Sequence, residues 1–129
     1  EFEIHDMVYA VDCGVALNPD LVEGQVEGAM HMSYELATGD GIVFDEEGQP
    51  ETLGFRDYDM PTTADQPPMT SIIVETHEPT GPFGAKSVAE IPVNGVPPAL
   101  SNAVRRAVGV RVGDLPITPE KIKAALDDD

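Results

Sequence analysis

A single carboxylate, Glu90, ends a stretch of small residues, and its position could serve proton-transfer chemistry. The stretch reads GPFGAKSVAEIPVNGVPPA from Gly81 to Ala99. Because Pro92 biases Ile91 away from helical backbone, Glu90 is expected on a turn that could point it inward. A carboxylate presented by a loop on a rigid scaffold is a common way to hold a general base. By composition alone a solvated surface glutamate is the more ordinary interpretation, and both interpretations stay open at this point.

Other chemistry-bearing residue types form no motif. The three histidines, His5, His31 and His77, lack the two-to-five-residue spacing of zinc ligands, so structural or surface roles are predicted. Cys13 is the only cysteine, which excludes an internal disulfide, and its strand-like surroundings predict a small buried side chain. The acidic stretch FDEEGQPE lacks the alternation of acids that an EF-hand loop requires, which disfavours a calcium-binding domain.

The composition predicts one acidic globular domain. The chain has 129 residues, of which 41% are hydrophobic, and a formal net charge of -17. Such a charge disfavours nucleic acid as a partner, and it fits either a basic partner or adaptation to high salt. No signal peptide or membrane-spanning run is present. The chain does not begin with Met and opens directly into strand-like sequence, which indicates a fragment of a longer polypeptide.

Strand and helix patterns alternate along the chain, which predicts an α/β (α+β) fold of layered strands and helices. A helix is expected after the N-cap Asn18, with Pro19 in its first turn, Val22, Val26, Met30 and Ser33 on one face, and a stop at Gly39 or Gly41. A hairpin is expected to turn at Glu47–Gly48. The other predicted elements are strands at 2–12 and in MTSIIVETHE, a helix in VPPALSNAVRRAV with Leu100, Ala103, Val104, Ala107 and Val108 on one face, and a helix in PEKIKAAL capped by Thr118.

Two glycines lie four residues apart within the first predicted helix. Gly24 and Gly28 each cost about 1 kcal/mol relative to alanine in a helix interior. Their presence indicates that another helix or a ligand approaches the backbone closely, and a helix is the commoner cause.

Several motifs, in order, resemble one enzyme family over nearly the whole chain. GPFGAKSVAE resembles the G-A-K-x-V-G-E loop in the molybdenum-binding large subunits of the xanthine dehydrogenase, aldehyde oxidase and carbon monoxide dehydrogenase family. VDCGVALNPDLVEGQVEGAM is similar to the family's segment around a G-Q-x-x-G motif, and RDYDMPT and NGVPPALSNAVRRAVGVRVGDLPITPEKI resemble the segments that follow. The resemblance implies that residues 1–126 are the C-terminal segment of a molybdopterin-binding domain, and 127–129 are expected to be a disordered acidic tail.

The resemblance also implies roles for individual residues. Glu90 corresponds to the catalytic base, which takes a proton from a hydroxyl on the molybdenum so that the oxygen can attack an electron-poor carbon. Gln25 corresponds to a glutamine that hydrogen-bonds the pterin. The backbone of Lys86, Ser87, Val88 and Ala89 would lie along the same cofactor. No residue of this chain is expected to ligate the metal.

The implied cofactors and partners extend beyond this chain. They are a molybdenum-pterin cofactor, as molybdopterin or its cytosine dinucleotide form, with 2Fe-2S clusters and FAD in partner subunits or domains. The expected partners are the rest of the molybdenum subunit, the iron–sulfur and FAD subunits, and a small-molecule substrate that is a purine, another N-heterocycle or an aldehyde. A cytoplasmic oligomer that does not bind nucleic acid or membrane is expected.

The loop departs from the family's pattern in two places. Ser87 and Ala89 stand where the family has glycines, and a positive φ at either position would be strained. An alternative function is a non-catalytic scaffold or interaction module that docks a basic partner on its acidic face.

Overall fold

The computed structural model describes residues 2–39, 41–58 and 60–128. The chain divides by its internal contacts into two compact units. One, the sheet unit, comprises Phe2–Ser33 and Pro67–Val96; the other, the helical unit, comprises residues 34–66 and 97–128. Within the described ranges, three helices and one two-stranded parallel sheet make a mixed α/β fold, which confirms the predicted class.

The sheet unit is built on two parallel strands. Strand β1 spans Met7–Asp12 and strand β2 spans Met69–Val74, in a register that pairs Met7 with Met69 and Asp12 with Val74. Alternate residues face a core formed by Val11, Cys13, Val22, Val26, Met30 and Val96. Cys13 is 2% exposed, so the prediction of a small buried side chain is confirmed.

Helix α1 spans Pro19–Thr38 and covers one face of this sheet. It begins as the sequence predicts, because the Asn18 side-chain oxygen accepts a hydrogen bond from the N–H of Leu21 at 3.2 Å. The predicted buried residues are confirmed: Val26, Met30 and Ser33 are at most 1% exposed, and Val22 is also buried. The helix therefore presents a continuous apolar stripe to the sheet and leaves its opposite side open.

The helical unit contains α2, Val96–Val108, which shares its first residue with the sheet unit, and α3, Pro119–Asp127. Thr118 caps α3 through a hydrogen bond from the N–H of Lys121, as predicted. The buried face of α2 differs from the predicted one. Leu100 and Val104 are buried as expected, whereas Ala103, Ala107 and Val108 are exposed. Ser101 is buried instead, because its hydroxyl donates to the Val112 carbonyl at 2.7 Å.

Three predicted elements are shorter than expected, one of which is the strand predicted in MTSIIVETHE, since β2 ends at Val74. The strand predicted over 2–12 begins at Met7, and the predicted hairpin is reduced to one antiparallel bridge between Phe44 and Pro50 around a turn at Gly48. Short 3-10 turns, which the sequence analysis did not predict, occupy Pro82–Gly84 and Ile91–Asn94.

The chain's C-terminal end bears on the predicted domain limits. Helix α3 includes Asp127, the first residue of the predicted tail, and Asp129 lies outside the described residues. The limits 1–126 and 127–129 therefore stay predictions. Among the residues described, no helix is long and apolar enough to cross a membrane.

Candidate functional site

The loop that carries Glu90 is fixed to the end of β1 at its beginning. The Lys86 N–H donates to the Cys13 carbonyl and the Val15 N–H donates to the Gly84 carbonyl, both at 2.8 Å. Gly14, between these bonds, has φ +67, and a Cβ there would lie 2.8 Å from the Lys86 nitrogen and against the Gly84 carbonyl oxygen. Glycine is therefore required at position 14 both for backbone conformation and for the close approach of the loop.

A buttress of three side chains strengthens this attachment. The Lys86 ammonium lies 2.7 Å from a carboxylate oxygen of Asp12 and donates to the Thr76 hydroxyl at 2.9 Å. Thr76 in turn donates to Asp12 at 2.6 Å, and the other Asp12 oxygen accepts from the Gly14 N–H. The hydrogen bond from Lys86, with those from Thr76 and Gly14, holds the pKa of the Asp12 carboxyl well below its usual range. Asp12 is thus an ionised anchor for the loop at neutral pH.

The far end of the loop is fixed by β1 and α1. The Tyr9 hydroxyl donates to the Ile91 carbonyl at 3.2 Å, and the buried Ser33 hydroxyl donates to the Val93 carbonyl. Gly95 lets the Tyr9 ring approach, since a Cβ at this glycine would lie 2.8 Å from the Tyr9 hydroxyl oxygen. Strand and helix together therefore fix the 3-10 turn that begins immediately after Glu90.

Glu90 itself lies on the residue before that turn, with φ -103 and ψ -5. Its side chain is exposed and does not point into the core of this chain, in contrast to the inward orientation suggested by the sequence. Within the described part of the chain it has no hydrogen-bond or ion-pair partner, and its own carbonyl accepts from the Val93 N–H. The Glu90 carboxylate therefore lies free on a turn whose backbone is fixed.

The residues between the two anchors offer backbone donors. Ser87 and Ala89 are exposed, whereas Val88 is half-buried and packs against the sheet-unit core. The N–H groups of Ser87, Val88 and Ala89 have no acceptor in residues 2–39, 41–58 and 60–128. The strain expected at Ser87 and Ala89 does not occur, because neither has a positive φ. The loop is thus an unstrained, open row of amide donors.

Gln25 lies on the open side of α1. Its side chain is exposed, and the structure gives it no partner among the described residues. The neighbouring Gly24 and Gly28 are also exposed, and a Cβ at either would meet nothing within 4 Å. Close packing of another helix of this chain therefore does not account for these glycines.

The helix that carries Gln25 and the loop that carries Glu90 pack against the same core of the sheet unit. Val88 packs against the core to which Val22 and Val26 belong, and these two residues lie on the helical turns adjacent to Gln25. No hydrogen bond joins Gln25 to the loop within the described residues. The shared core, rather than a direct contact, relates the two predicted site segments.

Sequence reasoning did not predict the contacts that hold this arrangement in place. Asp12, Thr76 and Lys86 are brought together across 74 residues of chain, and no local pattern marks such a pairing. It also missed Phe83, which has φ 55 and a ring that is 83% exposed. For a bulky residue this φ is a true outlier, and its only sign in the sequence is the nearby pair Gly81 and Gly84.

An open groove lined by Arg105, Arg111 and Asp128 lies in the helical unit and contains none of the predicted site residues.

Comparison with known proteins identifies the family of this chain. Residues 1–67 match the family model described as molybdopterin cofactor-binding domain. The probable hypoxanthine oxidase XdhD of Escherichia coli is 40% identical over 95% of this chain, which covers 13% of that protein. The carbon monoxide dehydrogenase large chain of Afipia carboxidovorans is 39% identical over 77% of this chain, which covers 12% of it.

A solved structure supports the same assignment. Quinoline 2-oxidoreductase from Pseudomonas putida 86 superposes with a TM-score of 0.89 and 31% identity over 98% of this chain, which covers 16% of that chain. The present chain thus spans only about one seventh of these relatives. It belongs to the molybdopterin cofactor-binding domain family and is part of that domain in a molybdenum hydroxylase large subunit.

Proposed function

We propose that this chain supplies the general base Glu90 and one part of the pterin-binding surface of an oxidoreductase. The enzyme hydroxylates an electron-poor carbon with oxygen derived from water. The main support for this proposal is the loop before Glu90. It is anchored at both ends, its amides have no acceptor among the described residues, and it leads to an unpaired carboxylate on a fixed turn. The family membership supports the cofactor, and the fixed backbone supports the assignment of a base.

The residues present fit a pterin in their donor chemistry. The N–H groups of Ser87, Val88 and Ala89 can donate to the cofactor's oxygen and nitrogen atoms, and the Gln25 amide can both donate and accept. The open space beside Gly24 and Gly28 permits a ligand to lie close to the α1 backbone. Lys86 contributes less than the resemblance implied, because its N–H and its ammonium are both engaged within the chain.

The chemistry divides between the cofactor and Glu90. When bound, the molybdenum-pterin group supplies a two-electron redox centre and acidifies bound water. Glu90 acts as the proton acceptor, since neither of its carboxylate oxygens is engaged by the described residues. The hydrogen bonds from Tyr9 and Ser33 fix the turn after Glu90, so the carboxylate is positioned without being neutralised.

The substrate class and the electron path extend this proposal. The names of the relatives refer to hypoxanthine, quinoline and carbon monoxide. For this chain we propose an electron-poor carbon in a purine, another N-heterocycle or an aldehyde, with the choice made by residues elsewhere in the large subunit. The electrons would be accepted by 2Fe-2S clusters and FAD held in partner subunits or domains, within a cytoplasmic oligomer.

Two variants of the full-length enzyme test the separate roles. Glu90→Gln should retain molybdenum and pterin but lose about 100-fold or more of turnover, the usual contribution of a positioned base. Gln25→Ala should instead lower the pterin content of the purified enzyme. Glu47→Gln, which changes an exposed glutamate in the turn of the helical unit, is the matched control and should leave both quantities unchanged. Normal turnover in Glu90→Gln would reject the base and favour the non-catalytic scaffold.

A further inference from the structure

The second face of the β1–β2 sheet is mostly apolar, and no layer covers it within the described residues. Side chains alternate along each strand, and the face opposite α1 carries Val8, Ala10, Ile72 and Val74, with the polar Thr70 beside Val8 and Asp12 at the strand end. Ala10 lies beside Ile72 in the register. Val8, Ile72 and Val74 are 57%, 47% and 41% exposed, and Ala10 is exposed as well. We call these four residues the outer sheet face.

The composition of this face is unlike that of a solvated sheet surface. Parallel strands are normally covered on both faces, whereas strands with one wet face alternate apolar with polar residues. Within β1 and β2 no Lys, Arg, Glu or Pro is present, and the single charge, Asp12, is at the strand end and paired with Lys86. Contiguous exposed apolar patches usually mark contact surfaces, so the lack of other charged residues in the two strands points to a cover.

We propose that the outer sheet face is the contact surface for another apolar layer of the same large subunit. This inference rests on the proposed function, because it requires the chain to work within a longer large subunit. The share of the relatives that this chain spans, 13% of XdhD and 16% of quinoline 2-oxidoreductase, leaves ample chain to supply that layer. In α/β folds the second face of a parallel sheet is covered by helices of the same chain, which distinguishes this occupant from a partner subunit.

A contact on the outer sheet face would also affect the loop that carries Glu90. β1 provides the anchors at both ends of the Glu90 loop, through the Cys13 carbonyl that follows the strand and through the Tyr9 hydroxyl. A layer on the outer sheet face would therefore hold the strand to which the loop is attached. Two strands alone make a marginal sheet, so this layer would stabilise the anchor points.

Cysteine labelling of the full-length large subunit tests the proposal. Ile72→Cys should react with a maleimide at least 10-fold more slowly in the folded subunit than in the same protein unfolded in urea. The native Cys13, which is 2% exposed, is an internal protected reference. If Ile72→Cys does not fold, Ala10→Cys is the substitute, because it adds only one sulfur atom at the paired position.

Every other outcome contradicts the proposal that a layer of the same large subunit covers the outer sheet face. Labelling as fast as in urea, both in the large subunit and in the complete assembly, would mean that the face is free. Protection only in the complete assembly would assign the face to a partner subunit, and protection that is lost on dilution would assign it to a second copy. None of these readouts uses turnover, so failure here is distinguishable from failure of the Glu90 assignment.

Discussion

Replacing Gly14 by alanine should detach the beginning of the Glu90 loop from β1. At φ +67 a non-glycine residue costs about 1 kcal/mol or slightly more. The added Cβ would also lie 2.8 Å from the Lys86 nitrogen and 3.0 Å from the Ala85 carbonyl carbon, which are backbone atoms that cannot rotate away. Overpacking of this kind costs roughly 1–3 kcal/mol. The summed cost is about 2–4 kcal/mol, borne by the two hydrogen bonds on either side of Gly14.

Hydrogen exchange in the full-length protein measures this cost locally. The Val15 and Lys86 amides donate the two bonds that must lengthen, so their exchange reports the opening free energy of the attachment. Since about 1.4 kcal/mol corresponds to a factor of ten, these amides should exchange roughly 30- to 700-fold faster in Gly14→Ala.

A second glycine separates the two contributions. Gly109 has φ +90, but a Cβ there would meet nothing within 4 Å. Gly109→Ala should therefore incur only the conformational cost of about 1 kcal/mol, or roughly fivefold faster exchange of the neighbouring amides. An effect of Gly14→Ala no larger than that of Gly109→Ala would show that the loop does not approach Gly14 closely, and the account of the anchor would be wrong.

Two further predictions concern the buttress and the open side of α1. The folded-state pKa of Asp12 is depressed, so its stabilising contribution is present above the unfolded pKa of about 4 and is lost as the pH falls through the folded value. The difference in exchange of the Lys86 amide between wild type and Asp12→Asn should therefore be largest near neutral pH and shrink below about pH 4; a constant difference would contradict the ionic anchor. Gly28→Ala should stabilise the apo-protein by up to about 1 kcal/mol through helix propensity, because an added Cβ there would meet none of the described residues within 4 Å, while lowering the pterin content of the full-length enzyme. Unchanged pterin content in that variant would show that the cofactor does not approach this part of α1.

Local patterns predicted the elements whose limits depend on neighbouring residues. Asn18 and Pro19 define the start of α1, and Thr118 defines the start of α3, because capping involves residues only two or three positions apart. The helical spacing of Val22, Val26 and Met30 likewise identified the buried stripe. These predictions succeeded because all the interacting groups lie within a few residues of one another.

Long-range contacts explain what the sequence could not predict. The parallel pairing of β1 with β2 and the buttress of Asp12, Thr76 and Lys86 join residues more than 60 positions apart. The burial of Ser101 depends on the Val112 carbonyl, which the periodicity of α2 does not reveal. The roles of Gln25 and Glu90 were predicted from family motifs, and the experiments above test these predictions.

The attachment of the Glu90 segment at both ends has a consequence for protein engineering. Between the Lys86 N–H and the Ile91 carbonyl the backbone spans a fixed distance, because it is hydrogen-bonded at one end to Cys13, just after β1, and at the other end to Tyr9 on β1. The composition of such a span is exchangeable, as the serine and alanine at 87 and 89 illustrate. The length of the span is not exchangeable. Inserting or deleting one residue would point the Glu90 carboxylate in a different direction while both attachment points stay in place. Redesign of this segment should therefore vary side chains and preserve the residue count.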